Sequence, residues 1–184
     1  RIRGLAGTCG NGQSDDRLPV LCLALDWRPM RILIVGNGGR EHTLAWKLRR
    51  DAPGATLFVT QPNGGMVGSV ETLEIAAGDV EALAGWAHAQ QIDLAVIGPE
   101  APLAAGLADR LARNGVPVFG PTKAAARIES SKVYAKELME RAGVPTAGFA
   151  AFSDPEEAAH YVRDGGAPVV VKASGLAAGK GAVV

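Results

Sequence analysis

The sequence is poor in several residue types, and each shortage removes a class of function. Aromatic residues make up only 5% of the 184 residues, which argues against a surface that stacks nucleobases. The two cysteines, Cys9 and Cys22, are too few for a disulfide framework or a thiolate metal cluster. Lysine plus arginine and aspartate plus glutamate number 19 each, so the formal net charge is zero. A neutral chain argues against a polybasic surface for nucleic acid or anionic membrane as its main function.

Long apolar segments are also missing. The longest early apolar run, residues 18–25, contains a proline, is followed by Asp26 and is much shorter than the roughly 20 residues of a membrane span. Arg1 and Arg3 are typical of the start of a signal peptide, but no small-residue cleavage site follows them. The three histidines are too widely separated for ligand-like spacing. We therefore expect a cytoplasmic protein.

Glycine is the residue present in excess. The chain contains 24 glycines, nearly twice the usual share of about 7%. Because glycine has no side chain, a ligand can approach its backbone amide closely. A folded chain this rich in glycine therefore favours binding sites that are built from backbone.

The chain changes character at Met30. Residues 1–29 hold both cysteines and no sustained hydrophobic period, whereas a buried-strand pattern starts directly after Met30. Our hypothesis is that Met30 is the natural start and that residues 1–29 are a tag or a wrongly extended reading frame. A genuine amino-terminal extension is the alternative.

From Met30 onward, apolar runs alternate with segments of helical spacing. The run Ile32–Val35 is continuously apolar, as expected of a strand buried on both faces. Asp79 is placed to cap a helix that carries Leu83 and Ala87 on one face. This rhythm predicts an α/β fold with a doubly wound, Rossmann-like parallel sheet. The predicted strands are 32–35, 57–59, 94–97 and 118–119, and the predicted helices include 40–50.

Three predicted helices end with glycine followed two residues later by proline. Glycine provides the carboxyl-terminal cap and proline prevents the helix from continuing. The stops lie at residues 114–117, 142–145 and 165–168, and they predict helices at about 101–113, 130–142 and 154–164. A strand at 169–171, a glycine-rich turn at 174–181 and a strand from residue 182 are expected next. Because no turn or partner follows that last strand, we expect the sequence to be truncated.

The first candidate site is the glycine-rich turn Gly36–His42, between a predicted strand and a predicted helix. Gly38 and Gly39 expose amides at a helix N-terminus, which favours an anion, and Arg40 can add a bidentate contact to phosphate. The dinucleotide fingerprint G-x-G-x-x-G fails here, because Glu41 stands where its third glycine belongs. A phosphate-bearing small molecule therefore fits better than a dinucleotide. A tight turn without a ligand is the alternative.

The second candidate site contains Glu100, directly after the predicted strand at residues 94–97. Ligands of open α/β sheets bind beyond the carboxyl ends of the strands, where Glu100 could accept hydrogen bonds from ligand hydroxyls. A role limited to capping the next helix is equally compatible with its position.

The third candidate site is the segment Lys172–Gly181, in which a lysine ends an apolar strand and a loop with three glycines follows. Such a loop can fold over a triphosphate, with its amides and Lys180 facing the anion. It is not a Walker A loop, because Gly175 and Gly179 have the wrong spacing and a strand pattern follows. A glycine-rich hairpin turn without a ligand is the alternative.

Five strings in the sequence carry a family resemblance. They are Ile34–Lys47, Gly98–Leu103, Phe119–Thr122, Glu129–Lys132 and Lys172–Gly181. In this order they resemble the family of phosphoribosylamine–glycine ligases, purine-biosynthesis enzymes of the ATP-grasp superfamily. The resemblance runs from Met30 to the end of the chain, and residues 1–29 have no part in it.

The resemblance implies ATP-dependent ligation of glycine to 5-phosphoribosylamine through a glycyl phosphate, with ATP and Mg²⁺ or Mn²⁺ as cofactors. It implies a phosphoribosylamine-binding domain at residues 30–130, in the pre-ATP-grasp fold, and the start of an ATP-grasp domain at residues 131–184. The implied partners are small molecules, without nucleic acid or membrane, and a monomer is compatible. Catalytic groups and metal ligands are expected after Val184, so this chain alone is expected to have no ligase activity.

The resemblance also implies roles for single residues. Those implied to bind phosphoribosylamine are Gly38, Gly39, Arg40, Glu41 and Glu100. Those implied to bind ATP are Lys132, Lys172, Gly175, Leu176, Ala177, Ala178, Gly179, Lys180 and Gly181. Lys132 and Lys136 lie one helical turn apart, a spacing that alone favours a solvated face. The resemblance selects Lys132 and leaves Lys136 as a surface residue.

Two departures and two rival interpretations accompany the resemblance. The family commonly shows Pro-Gly-Asn-x-Gly-Thr where this chain has residues 62–67, so contact of that loop with phosphoribosylamine is left open and none of its residues is assigned to the site. The family also often has aspartate where this chain has Ser174. A biotin carboxylase also carries Lys-Ala-Ser-Gly, but the strings at Gly38–His42 and Gly98–Leu103 disfavour it. A nicotinamide-binding oxidoreductase or a non-catalytic nucleotide-binding module would use the first glycine turn alone, and both Glu41 and the loop at residues 175–181 disfavour this interpretation.

Overall fold

Five short strands form one parallel sheet. The computed structural model describes residues 28–165, 168–177 and 180–183. The strand order is β3-β2-β1-β4-β5, and every neighbouring pair is parallel. The strands are β1 (Arg31–Val35), β2 (Thr56–Thr60), β3 (Glu71–Leu73), β4 (Leu94–Ile97) and β5 (Val118–Phe119). This topology confirms the predicted α/β class with a doubly wound sheet.

The sheet is buried on both faces, which explains the continuous apolar pattern of its central strand. In β1, Leu33 and Val35 join one hydrophobic cluster, while Ile32 and Ile34 join a second on the opposite face. Helix α1 (Gly39–Asp51) adds Ala45 to the second cluster. The helices that contribute to the first cluster are α2 (Val80–Ala89), α3 (Glu100–Ala105), α4 (Leu107–Arg113) and α5 (Lys123–Ser130).

The predicted single helix at 101–113 is wrong, because the chain forms two helices that are broken at Gly106. Gly106 has φ +99° and ψ 23°, a left-handed conformation that ends α3 and begins α4. Only glycine adopts this conformation without strain, so the residue permits the break. The sequence shows a single apolar period here, and the change of direction is visible only in the backbone.

Two elements were not predicted, and one boundary was wrong. Strand β3 buries only Leu73 and is too short to produce an apolar run. Helix α5 begins after Thr122, whose hydroxyl accepts from the amide of Ala125 at 3.3 Å. The strand predicted at 169–171 lies further along the chain in the structure, where β6 comprises Val171–Lys172.

Several local signals were interpreted correctly. The carboxylate of Asp79 accepts from the amide of Ala82 at 3.1 Å, and that of Asp154 accepts from the amide of Glu156 at 2.6 Å. The glycines at two predicted helix stops, residues 115 and 143, have φ values of +77° and +66°. The third stop includes residues 166–167, which lie outside the described residues.

The part after residue 130 is organised differently. It contains α6 (Lys132–Arg141), α7 (Pro155–Gly165) and an antiparallel pair of β6 with β7 (Ala182–Val183). Within the described residues of this part, neither helix has a fully buried side chain. Its apolar residues therefore do not form a core of their own.

Only Arg28 and Pro29 of the predicted leader fall within the described residues, and Arg28 contacts the sheet domain. Its guanidinium binds the carboxylate of Asp93 at 2.5 and 3.0 Å, and Asp93 also accepts from the amide of Arg31 at 2.8 Å. The hypothesis of a natural start at Met30 stays a prediction. None of the described helices has the length and apolar character needed to cross a membrane.

Candidate functional site

The first two candidate sites meet at the carboxyl ends of β1, β2 and β4. The chain runs outward from β1 to β2 and β3, and then returns to the other side of β1 to form β4. In such sheets, ligands bind in the crevice where the strand order reverses, here between β1 and β4. The amide of Gly36 donates to the hydroxyl of Thr60 at 2.7 Å, and the amide of Gly98 donates to the carbonyl of Val35 at 3.1 Å. These bonds join the three strand ends.

Glu41 is buried beneath this crevice. Its side chain is 5% exposed, and its Oε2 accepts from the amide of Gly38 at 2.7 Å. A Cβ added to Gly98 would overlap the carboxylate, and one added to Gly36 would lie 2.9 Å from it. Because Gly36 and Gly98 have no side chains, the space between the strand ends and α1 is large enough for the side chain of Glu41. A glycine at position 41 would not need that space. This arrangement explains why the dinucleotide pattern breaks at Glu41 without disrupting the packing of α1 on the sheet.

Arg40 extends across the crevice from β1 to β4. Its guanidinium donates to the carbonyl of Gly98 and, at 3.0 Å, to Oε1 of Glu100. The hydrogen bond to Glu100 is the main reason why the pKa of Arg40 is raised. The pKa of Glu100 is lowered, first by its own backbone amide and then by Arg40. The arginine side chain is still 57% exposed, so a fixed cation faces solvent at the switch point.

The start of α1 adds backbone donors beside this cation. Gly38 and Gly39 are exposed, and no described residue accepts from the amides of Gly39 or Arg40. Free amides at a helix start, together with the helix dipole, attract an anion. The predicted residues of the first two sites are thus brought together in one place, with Glu41 below the surface and the others on it.

The loop at residues 61–67, which the sequence left without a role, closes one side of the same place. The side-chain Nδ2 of Asn63 donates to the carbonyl of Asn37 at 2.8 Å, and its Oδ1 accepts from the backbone amide of Gly65 at 3.0 Å. A Cβ on Gly65 would overlap the ring of His42. Sequence reasoning missed Asn63 and Thr60, although a polar residue after β2 was a signal that this strand end also borders the crevice.

The third candidate site is a hairpin beside the start of α6. Lys172 pairs with Ala182 across β6 and β7, and the ammonium of Lys132 donates to the carbonyl of Gly175 at 2.9 Å. Lys172 is exposed and Lys132 is partly exposed, which makes this a cationic loop that contains glycine. An anion is the class of ligand that such a donor set attracts.

The tip of the hairpin is only partly described. The amide of Lys180 donates to the carbonyl of Ala177 at 2.8 Å, and a Cβ on Gly181 would lie 2.5 Å from Cβ of Ala177. Glycine is therefore required at position 181 by close approach of the two sides of the loop. Leu176 is exposed, while Ala178 and Gly179 lie outside the described residues.

Two family models match consecutive parts of the chain. The model of the phosphoribosylglycinamide synthetase N domain matches residues 30–129, and that of the ATP-grasp (A) domain of the same synthetase matches residues 130–184. The chain belongs to the phosphoribosylglycinamide synthetase family.

Curated relatives of this synthetase family carry the name phosphoribosylamine–glycine ligase. The one from Allochromatium vinosum is 49% identical over 157 residues, which cover 84% of this chain and 37% of that protein. The one from Pasteurella multocida is 48% identical with the same coverage. The chain thus spans a little over a third of the length of these relatives.

A solved structure of this family and one of a biotin carboxylase domain share the fold. A crystal structure of phosphoribosylamine–glycine ligase from Thermotoga maritima is 33% identical, with a TM-score of 0.64 over 84% of this chain and 35% of that one. The biotin carboxylase domain of the Hydrogenobacter thermophilus 2-oxoglutarate carboxylase is 21% identical, with a TM-score of 0.68 over 85% and 37%. Backbone similarity therefore does not separate the two families, whereas sequence identity does.

The structure also shows the contacts of side chains that the sequence analysis weighed and did not assign to a site. Lys136, one turn after Lys132, donates to the hydroxyl of Thr146 at 2.6 Å and to the carbonyl of Ala147 at 2.7 Å, so it holds the chain after α6. Nδ1 of His88 lies 2.9 Å from the carbonyl of Asn114. Across the described part of the chain, no three carboxylate, imidazole or thiolate groups lie close enough to hold a metal ion.

Proposed function

We propose that this chain contributes the phosphoribosylamine-binding part and the first part of the ATP-binding region of a phosphoribosylamine–glycine ligase. The observation that supports it most is the place of Arg40, which is tied to Gly98 and Glu100 beside open helix amides at the switch point. This combination suits a phosphate ester of a sugar. Its phosphate binds the cation and the amide donors, and its hydroxyls donate hydrogen bonds to the carboxylate. Family membership supports the same ligand.

The reaction of such a ligase has two steps. The carboxylate of glycine attacks the γ-phosphate of ATP, which forms a glycyl phosphate and ADP. The amine of phosphoribosylamine then attacks the acyl carbon, and phosphate leaves as glycinamide ribonucleotide forms. The first step is needed because a carboxylate accepts an amine poorly until one of its oxygens becomes part of a leaving group.

The chain's own residues have separate tasks in this proposal. The guanidinium of Arg40 and the open amides of Gly39 and Arg40 bind the 5-phosphate, with Gly38 lining the turn, and Glu100 orients the ribose hydroxyls. Glu41 holds the turn in shape from below by accepting from Gly38. Because Arg40 is fixed by protein partners before the ligand arrives, little side-chain entropy is lost on binding.

For the third site, we propose that Lys132, Lys172 and the loop 175–181 bind the phosphates of ATP. The ammonium groups and loop amides suit a nucleoside triphosphate. The 2-oxoglutarate carboxylase domain of similar fold is solved with MgADP, which supports magnesium as the metal that accompanies the nucleotide. The described residues of this chain do not assemble a metal site, so no metal ligand is assigned to them. A cytoplasmic location is also part of the proposal.

Binding of ribose 5-phosphate, a stable analogue of phosphoribosylamine, tests the first site. Removal of one charged contact by Arg40→Ala should weaken binding about tenfold or more, measured by calorimetry. Arg50→Ala, on the same helix but about 15 Å further along, is the control and should bind normally. Tighter binding of NAD than of ribose 5-phosphate, or equal effects of the two substitutions, would contradict the proposal.

A further inference from the structure

The first turn of α6 has no free backbone donors. A helix start normally leaves four amide groups without an intrahelical acceptor. Here the amide of Lys132 donates to the carbonyl of Ser174 at 2.9 Å, and that of Val133 donates to the hydroxyl of Ser174 at 3.3 Å. The amide of Tyr134 donates to the hydroxyl of Ser131 at 3.3 Å, and the amide of Ser131 itself donates to the carbonyl of Arg127 at 3.0 Å. Two serines, 43 positions apart in the sequence, therefore share the cap of one helix.

The two serines differ in what else they connect. Ser131 directly precedes α6, so its cap is local. Ser174 belongs to the hairpin, between the strand residue Lys172 and Gly175, whose carbonyl accepts from the ammonium of Lys132 at 2.9 Å. The hairpin ladder continues next to it, because the amide of Ala173 donates to the carbonyl of Gly181 at 2.8 Å. Ser174 is thus the point at which the glycine-rich hairpin is attached to the helix.

The occupied helix start also decides which groups remain for an anion. At α1, the amides of Gly39 and Arg40 have no acceptor among the described residues, whereas the four first amides of α6 are all used. A phosphate at the hairpin must therefore be bound by lysine ammonium groups and by amides of the loop, and not by the end of α6.

We propose that Ser174 is a positioning residue, which attaches the hairpin to α6 and so holds the ammonium of Lys132 over the loop. The nucleotide part of this inference rests on the proposed function of the third site. An aspartate at position 174 offers the same acceptor, with a charge that the helix dipole favours, so it should replace serine in this role. An alanine should not.

Amide hydrogen exchange of the chain without nucleotide tests the attachment directly. Ser174→Ala should speed exchange about fivefold, the equivalent of one ordinary hydrogen bond, both in the first turn of α6 and in residues 171–175. Ser174→Asp should restore the wild-type rates. Ser131→Ala is the matched control, because it removes an equivalent cap without touching the hairpin, and it should speed exchange at α6 alone. Loss of protection confined to α6 in Ser174→Ala would overturn the proposal, as would equal loosening of the hairpin by Ser131→Ala.

Binding of a fluorescent ATP analogue by the same variants separates this inference from the proposed function. We expect Ser174→Ala to bind about fivefold more weakly than the wild type, and Ser174→Asp and Ser131→Ala to bind like it. A wild-type chain that binds no ATP analogue would contradict the nucleotide role of the third site, while the exchange rates would still decide the attachment. Equal weakening by Ser174→Ala and Ser131→Ala would show that only helix capping matters and would overturn the positioning role.

Discussion

Residues 30–130 and residues 131–183 differ in how their candidate sites are supported. The first region has a sheet buried on both faces, and its central strand residues Ile32–Val35 are at most 1% exposed. The described residues of the second region include two helices without a fully buried side chain. Stability varies across a protein with the density of buried contacts. The site at the edge of the sheet is therefore built on a rigid scaffold, whereas the hairpin site depends on a few exposed or partly buried hydrogen bonds.

The two helix starts show the same contrast at the level of single side chains. At α1, a buried carboxylate, Glu41, supports the turn from within the core and leaves amides open to solvent. At α6, the hydroxyls of Ser131 and Ser174 occupy the amides from outside. The start of α1 therefore keeps amide donors available for an anion. The start of α6 uses its donors in hydrogen bonds that attach it to the hairpin.

The largest expected effect concerns the core of the first region. Leu33→Ala removes a side chain that is 0% exposed and should lower the free energy of unfolding by about 2–5 kcal/mol. Leu138→Ala, in the partly exposed α6, should lower it by about 1 kcal/mol or less. Urea denaturation followed by circular dichroism measures both. Equal losses in the two variants would mean that Leu138 is packed as tightly as Leu33 and would break the comparison.

A smaller effect is expected where the glycines make room for Glu41. Gly98→Ala places a Cβ on the buried carboxylate and should cost about 1–3 kcal/mol of folding free energy. Gly85→Ala is the control: it lies exposed in α2 with nothing within 4 Å of its added Cβ, and should stabilise by about 0.5–1 kcal/mol. Opposite shifts in the urea midpoint are expected, and shifts of the same sign would contradict the packing described for Glu41.

The smallest effect is the pH dependence of the bond between Arg40 and Glu100. The folded-state pKa of Glu100 is lowered, first by its own backbone amide and then by Arg40. The ionised carboxylate therefore stabilises the fold above the unfolded-state pKa of about 4.3, and this contribution is lost as the pH falls through the folded-state value. Glu100→Gln should therefore destabilise by up to about 1 kcal/mol at pH 7 and have no effect in strong acid.

Denaturation of wild type and Glu100→Gln between pH 7 and strong acid measures this difference. Glu140→Gln, an exposed change in α6, controls for the loss of one negative charge. A difference between wild type and Glu100→Gln that stays constant with pH would contradict the role given to the ionised carboxylate.

Much of the fold was predictable, because its signals are local. The apolar run Ile32–Val35, the caps at Asp79 and Asp154 and the glycine stops each act within a few residues. The break at Gly106 was missed, because an apolar period continues across it while the backbone turns. Strand β3 was missed since three residues with one buried side chain carry no period.

The candidate sites were predictable as lists of residues but not as arrangements. Arg40 meets Glu100 across 60 positions, and Lys132 meets Gly175 across 43. Nothing in the local sequence indicates that such groups touch, because the chain between them determines their distance. The same holds for the hydrogen bond between Ser174 and α6 and for the bond by which Asn63 closes the first site, because both join residues that are far apart in the sequence.

The sequence by itself determined the alternation of strands and helices, the glycine-rich turns and the family to which the chain belongs. Each depends on residue order, on short-range periodicity or on the absence of a side chain. Only the tertiary structure decided that Glu41 supports a turn while Glu100 meets a cation. It also shows that glycine is needed at positions 98 and 36 because a side chain there would collide with Glu41. The reason is that the parallel sheet brings distant strand ends to one edge, where contact depends on the shape of the whole domain.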